Sequence, residues 1–264
     1  MASSDAALIL PPGGVERGIG RSGRDFVSMV RWHLASLRMW LVTIVIVQAL
    51  SGVGFVLGIS LFFHHIPQSA ALFVTTGVPV INLLIVGLVL GPQLVANQRT
   101  AGSYEYLQTL PVSRSVTAAA WYTVCLLCGL PAVVVSLVVG QLRYDLPLHI
   151  SLMIVPAVLL TSFAGTMLGY ALAHAITRPM VTLLITQMLI FIVFGFAPIL
   201  FPLQRMPAWL ADVNWWFPFR HMAVVMRAAL TSGPNPGVST AYAVIGVWTV
   251  VAAALAGWML GRRP

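Results

Sequence analysis

Apolar residues in this chain come in six long runs, separated by polar stretches mostly too short to fold on their own. Crossing a hydrocarbon core of about 30 Å takes roughly 20 apolar residues in helix. The qualifying runs are approximately Met39 to Phe63, Ala70 to Val95, Ser115 to Gly140, Leu148 to Ala173, Met180 to Phe201 and Val238 to Leu260. Pro79, Pro131, Pro156 and Pro198 fall inside them, which a membrane bundle tolerates because neighbouring helices can satisfy the freed carbonyls. The pattern predicts an all-α polytopic membrane protein with six transmembrane helices.

The residues before the first run follow two other patterns. Residues 1–20, with Pro11, Pro12, Gly13, Gly14, Gly18 and Gly20, read as a flexible cytoplasmic tail. They lack the charged start, apolar centre and cleavage site of a signal peptide. In residues 21–38, Phe26, Met29, Val30, Leu34 and Leu37 recur at helical spacing, while Arg24, Arg31 and Arg38 fall on roughly one face. That spacing predicts an amphipathic helix at the membrane surface, its arginines toward phosphate headgroups. An ordinary amphipathic packing helix is the alternative. The transmembrane domain then covers residues 39–261, and 262–264 form a cytoplasmic C-terminus.

Composition agrees with lipid as the main solvent. Of 264 residues, 59% are hydrophobic and 8% charged, against about 25% charged in a soluble domain. The formal charge of +8 comes from arginines scattered among apolar runs, not from a basic patch with interleaved aromatics, so nucleic acid is not an expected partner. With six spans and a cytoplasmic N-terminus, Arg17, Arg21, Arg24, Arg31, Arg38, Arg99, Arg114, Arg178, Arg262 and Arg263 lie inside. Arg143, Arg205, Arg220 and Arg227 lie outside. This asymmetry favours that orientation over its inverse. A chain rich in Ala, Val, Gly and Arg and lacking lysine also suggests a GC-rich bacterial genome.

Little catalytic chemistry is on offer. Without lysine there is no G-x-x-x-x-G-K-[ST] loop, so nucleotide-driven work must come from another polypeptide. Cys125 and Cys128 share the C-x-x-C spacing of metal and redox sites but lack further ligands, and read as small buried hydrophobes. His64, His65, His149 and His174 sit near the ends of spans, and the adjacent His64 and His65 read as solvated residues, so no metal site is expected. Almost nothing ionisable lies within the spans, which argues against an ion-coupled carrier. No H-E-x-x-H, G-x-S-x-G or acidic cluster supports a membrane enzyme.

Two connections are long enough to carry function. Inside, ANQRTAGSYEYLQTLPVSR (Ala96 to Arg114) holds a helix break at Gly102 and Ser103, a short helix through Tyr104, Glu105, Tyr106 and Leu107, and a stop at Pro111. A short helix held between two spans, at about 100–111, is a projection on which a partner can push; a plain polar turn is the alternative. Outside, Pro202 to Gly237 contains two short helical stretches opened by Pro207 and Pro218, with Gly233 suited to the end of one. Trp209, Trp215, Trp216 and Phe217 are rings expected at a membrane interface. Two short helices dipping into the outer leaflet, at about 203–235, would satisfy both features; an aromatic loop resting on the surface is the alternative.

The run GSYEYLQTLPVSR resembles the signature between the second and third spans of ABC-2-type permeases, at Gly102, Glu105, Leu107, Pro111, Val112 and Ser113. Upstream, this chain has Asn97, Gln98 and Arg99 where that family often has a Glu-Arg-Glu cluster. The outer segment is similar to the family's re-entrant pair, with Pro218 and Arg227 kept and their neighbours Phe217 and Met226 different. Helix count, interfacial helix and both long connections fit along nearly the whole chain.

What the resemblance implies is the permease subunit of an ATP-binding-cassette exporter in the cytoplasmic membrane, both termini inside. Separate cytoplasmic ATPase subunits, carrying ATP and Mg, would couple through Gly102, Ser103, Tyr104, Glu105, Tyr106, Leu107 and Pro111, and through the N-terminal helix. The chain itself would hold no cofactor. It would pair with a second copy or a similar permease near the first and fifth spans. There Gly54/Gly58 offers a seam, while Gly165/Gly169 reads as packing within the subunit. An amphipathic or lipid-like drug or antibiotic is the expected cargo. Lipid-linked polysaccharide export is the runner-up, and a passive channel or membrane-embedded enzyme the reading from another class.

Overall fold

A computed structural model describes residues 19–62, 67–109, 111–176, 178–233 and 236–261 of the chain. Most of the proposed N-terminal tail, His64, His65 and the last three residues lie outside these. Among the described residues the structure is helical and contains no strand. Six helices among the described residues are long and apolar enough to cross a membrane, and they overlap the six runs.

From Arg24 to Ser51 the sequence has neither glycine nor proline, so nothing stops a helix once it has begun. Accordingly α1 runs from Ile19 to Phe62 without a break. The expected division at residues 38 and 39 is absent: the amphipathic segment and the first span are one rod, about 66 Å long at 1.5 Å per residue. The apolar stripe of its first half packs onto protein. Met29, His33 and Leu37 are buried, and Val30 and Leu34 pack against a cluster containing Val95, Trp121, Val124 and Tyr170. Arg24, Arg31 and Arg38 stand exposed on the other side.

The second span is composite. α2 (Gln68–Ile85) passes through a π-helical turn at Val86–Leu90 into α3 (Gly91–Thr100). Pro92 cannot donate the α-type bond to the Leu88 carbonyl, and the wider turn just before it absorbs that defect. Gly87 in this turn meets the fourth span backbone to backbone: a Cβ on Gly169 would lie 2.0 Å from the Gly87 oxygen, and one on Gly87 2.6 Å from the Gly165 carbonyl carbon. The Gly165/Gly169 pair therefore packs within the subunit. Gly54 and Gly58 have open space where a Cβ would point.

After α4 (Ser103–Thr109) comes α5 (Arg114–Tyr144), which runs beside α1 in the same direction. A Cβ on Gly52 would meet the Ala132 carbonyl oxygen at 2.8 Å, and the Tyr144 hydroxyl donates to the Val56 carbonyl at 2.9 Å. Ser51 on α1 donates to Asn82 Oδ1 on α2 at 2.8 Å, a side-chain bond between two spans.

α6 (Ile154–Ala175), α7 (Pro179–Phe196), α8 (Ala208–Trp216), α9 (Pro218–Leu230) and α10 (Val238–Gly261) complete the chain. Two spans are markedly shorter than the runs predict. The fourth span begins at Ile154, not Leu148, because the preceding segment is used elsewhere: the backbone N–H groups of His149 and Ser151 donate to the carbonyls of Leu230 and Ala229 at the end of α9, both at 2.9 Å. The fifth ends at Phe196, not Phe201, where Pro198 stands in the turn that follows. α9 is the most enclosed of the short helices, with Met222, Ala223, Val225, Met226, Ala229 and Leu230 all buried in the main core.

Candidate functional site

The polar connection after α3 turns on one residue. Ala101 and Gly102 donate backbone N–H bonds to the carbonyls of Asn97 and Arg99, at 3.0 and 3.2 Å, and close the helix. Gly102 then takes φ +73°, a left-handed conformation that costs a residue with a Cβ roughly 1–2 kcal/mol. Ser103 Oγ donates to the Gln98 carbonyl at 3.3 Å, tying the start of α4 back to α3. Past Pro111, Ser113 N-caps α5, its hydroxyl accepting from the Val116 N–H at 3.4 Å. The expected short helix is present, seven residues long, between two spans.

Tyrosines at positions 104 and 106 lie about 200° apart around a helix, on opposite faces. The structure uses them differently. Tyr104 is half-buried, its ring centre 4.7 Å from the Arg99 guanidinium carbon and 5.8 Å from the His174 ring. Tyr106 is 62% exposed. Arg99 also donates through Nη1 to the Ile176 carbonyl just beyond α6. One guanidinium thus fastens the end of α3, the first turn of α4 and the end of α6. Gly102 and Pro111 are exposed, Ser103 and Leu107 half-buried, and Glu105 occupies the middle of α4. Sequence reasoning grouped these residues together; the structure divides them into an anchoring face and an outward one.

The sequence places His174 at the inner end of a span and says no more of it. It is buried and donates from Nδ1 to the Tyr170 carbonyl at 2.8 Å. Its contact with Tyr104 joins residues far apart in sequence, and no local pattern announces it. The exposed arginines of α1 belong to the same end of the molecule, because His33, between Arg31 and Arg38, packs against Trp121 in the early part of α5.

At the opposite end, Pro207 immediately precedes α8 and Pro218 is the first residue of α9. Trp209, Trp215 and Trp216 expose much of their rings, whereas Pro218 is buried. Asn214 anchors α8, donating to the Phe196 carbonyl at the end of α7 at 2.8 Å, and Trp248 Nε1 donates to the Trp216 carbonyl at 2.8 Å. His221 donates to the Trp215 carbonyl at 2.9 Å. Neither Asn214 nor His221 stood out in the sequence.

Arg227 turns inward. Nε donates to Thr76 Oγ1 at 3.2 Å, and Nη2 reaches the carbonyls of Ile199 at 3.2 Å and Phe73 at 3.5 Å. The guanidinium carbon lies 3.6 Å from the centre of the Phe73 ring. These partners are neutral, so carbonyl dipoles and a ring face stabilise the charge. Burial pulls its pKa down to about 10, which leaves it protonated at neutral pH. The result is a clamp joining α9, α2 and the turn after α7.

Among the described residues no three His, Cys, Asp or Glu side chains gather where they could hold a metal ion. A family model described as ABC-2 family transporter protein matches residues 67–258, from α2 into α10, and leaves α1 outside. No curated protein matches the chain.

Proposed function

The chain belongs to the ABC-2 family of transporter proteins, and from that membership we propose how it works as the permease subunit of an ATP-binding-cassette transporter. Cytoplasmic ATPase subunits, which carry ATP and Mg, dock on α4. The observation that carries this reading is the division of α4: Tyr104 is held by Arg99 and His174, while Tyr106, Gly102 and Pro111 face outward. A projection anchored to two spans passes a push on, whereas a free loop would absorb it. Closure of the ATPases then moves the spans through differential contacts with α4 in their two states.

Two copies, or this chain and a similar permease, form the path. The unoccupied side of α1, with Gly54, Val47, Ile46 and Leu50 exposed, is the proposed seam, together with the fifth span. The arginine asymmetry supports cytoplasmic termini in the cytoplasmic membrane, with Arg24, Arg31 and Arg38 toward lipid phosphate and α8–α9 at the outer leaflet. The cargo is an amphipathic or lipid-like molecule of the drug or antibiotic kind, moved outward.

Gentle extraction of the tagged protein from its native membrane, followed by affinity capture and an ATPase assay, tests this. A cassette ATPase recovered with the parent chain and lost with Glu105→Arg supports the docking site. Recovery of no ATPase even after crosslinking overturns the reading and leaves a channel acting alone.

A further inference from the structure

Behind α4 the buried rings form a continuous row. The Tyr104 ring lies 5.8 Å from His174, His174 4.0 Å from Tyr170, Tyr170 6.4 Å from Trp121, and Trp121 4.9 Å from His33. The row starts on α4, passes through α6 and α5, and ends on α1. His174, Tyr170, Trp121 and His33 are each at most 5% exposed.

The row is packed, and His174 is tied to the Tyr170 carbonyl, yet other polar atoms along it have no hydrogen bond to hold them. Tyr104 Oη, Trp121 Nε1, His33 Nε2 and Arg99 Nη2 are buried with no hydrogen-bond partner. A core built only for stability would place apolar side chains here, since each orphaned polar atom raises the energy of the arrangement that orphans it. Edge-to-face and tilted ring contacts hold several geometries at similar cost, so the row can repack when one end moves. Repacking that gives these atoms partners lowers the energy of a second arrangement, and a two-state element of this kind can transmit bias between distant sites.

We propose that Tyr104, His174, Tyr170, Trp121 and His33 are positioning residues that carry the docking state of α4 to the N-terminal half of α1. The inference rests on α4 as the ATPase docking site. It adds a destination: α1 changes its position relative to α7 when the ATPases close, and it does so through these rings.

The test uses the permease with its co-purified ATPase in lipid nanodiscs. Spin labels at Ser28→Cys on α1 and Met180→Cys on α7 report the distance between two exposed positions, while Cys125 and Cys128 stay buried and unlabelled. Trapping the ATPase with ATP and vanadate is expected to shift that distance. Trp121→Leu should abolish most of the shift while ATP hydrolysis persists; Tyr104→Leu should lose the shift as well, and Tyr104→Phe, which keeps the ring, should retain it. Trp121→Leu is decisive because it lies away from the docking helix; His33→Leu replaces it if that variant does not fold. A shift unchanged in these variants, or absent from the labelled parent, overturns the relay with the docking reading intact. Loss of the ATPase from Trp121→Leu also overturns it, because that residue would then support docking itself. Failure of the parent to retain any ATPase removes the docking reading first, and the relay with it.

Discussion

Gly77 lies directly against the carbonyl of Ile199: a Cβ built on Gly77 would sit 2.4 Å from that oxygen. The same oxygen accepts from Arg227 at 3.2 Å. Helix α2, the turn after α7 and the cation of α9 therefore meet at one acceptor, and none can shift without the others.

Gly77→Ala should destabilise the protein by about 1–3 kcal/mol, because backbone rather than a flexible side-chain end blocks the new methyl. Gly246→Ala on α10, with nothing within 4 Å and away from the proposed seam, should cost less than about 0.5 kcal/mol. Thermal unfolding of the two variants in the same detergent checks the contrast, and equal losses would contradict it.

Arg227→Lys keeps a charge but gives up the planar fork that reaches Thr76, Ile199 and Phe73 together. A loss of about 1–3 kcal/mol is expected from the neutral partners left unpaired. Because Gly77 and Arg227 share the Ile199 oxygen, the double variant Gly77→Ala/Arg227→Lys should be less destabilised than the sum of the singles. Additivity within about 0.5 kcal/mol would count against a shared acceptor.

The Ser51 to Asn82 bond joins α1 to α2. Hydrogen bonds between membrane helices average about 0.6 kcal/mol and reach about 1.7. A double-mutant cycle of Ser51→Ala and Asn82→Leu should give a coupling in that range, measured by steric trapping or denaturant unfolding in mixed micelles. Zero coupling would mean the pair merely lies close.

Gly102→Ala meets no steric obstacle, so any penalty is conformational. About 1 kcal/mol should appear as local loosening: faster amide hydrogen exchange across α3's last turn and α4, with α6 and α10 unchanged. Gly102→Asn, which tolerates the left-handed region better, should exchange more slowly than the alanine variant.

Much of the fold was legible because a span must be long, apolar and helical, and nothing else in the chain meets all three conditions. The ends of α6 and α7 were not. Leu148 and Ile150 are apolar, yet they lie in an irregular segment whose neighbours bond the end of α9, so apolarity there reports a packed connection rather than helix. The division at residue 38 failed for a related reason: polarity changes there, but no residue interrupts the backbone. For the site, Gly102, Pro111 and the position of α4 follow from local turn chemistry. The anchoring of Tyr104 does not, since His174 reaches it only after α4 and α6 have packed. Gly165 and Gly169 announced a close approach, but their partner, Gly87, belongs to a π-helical turn with no such motif of its own.

The partnership of α1 with α5 has a mechanical consequence. Two parallel rods joined at Gly52–Ala132 and Val56–Tyr144 resist bending as a girder does, far more than either rod alone. A girder tilts as a whole. A tilt imposed at Trp121 would therefore appear at Tyr144 almost undiminished, on the far side of the membrane, with no intervening side chain needing to change rotamer.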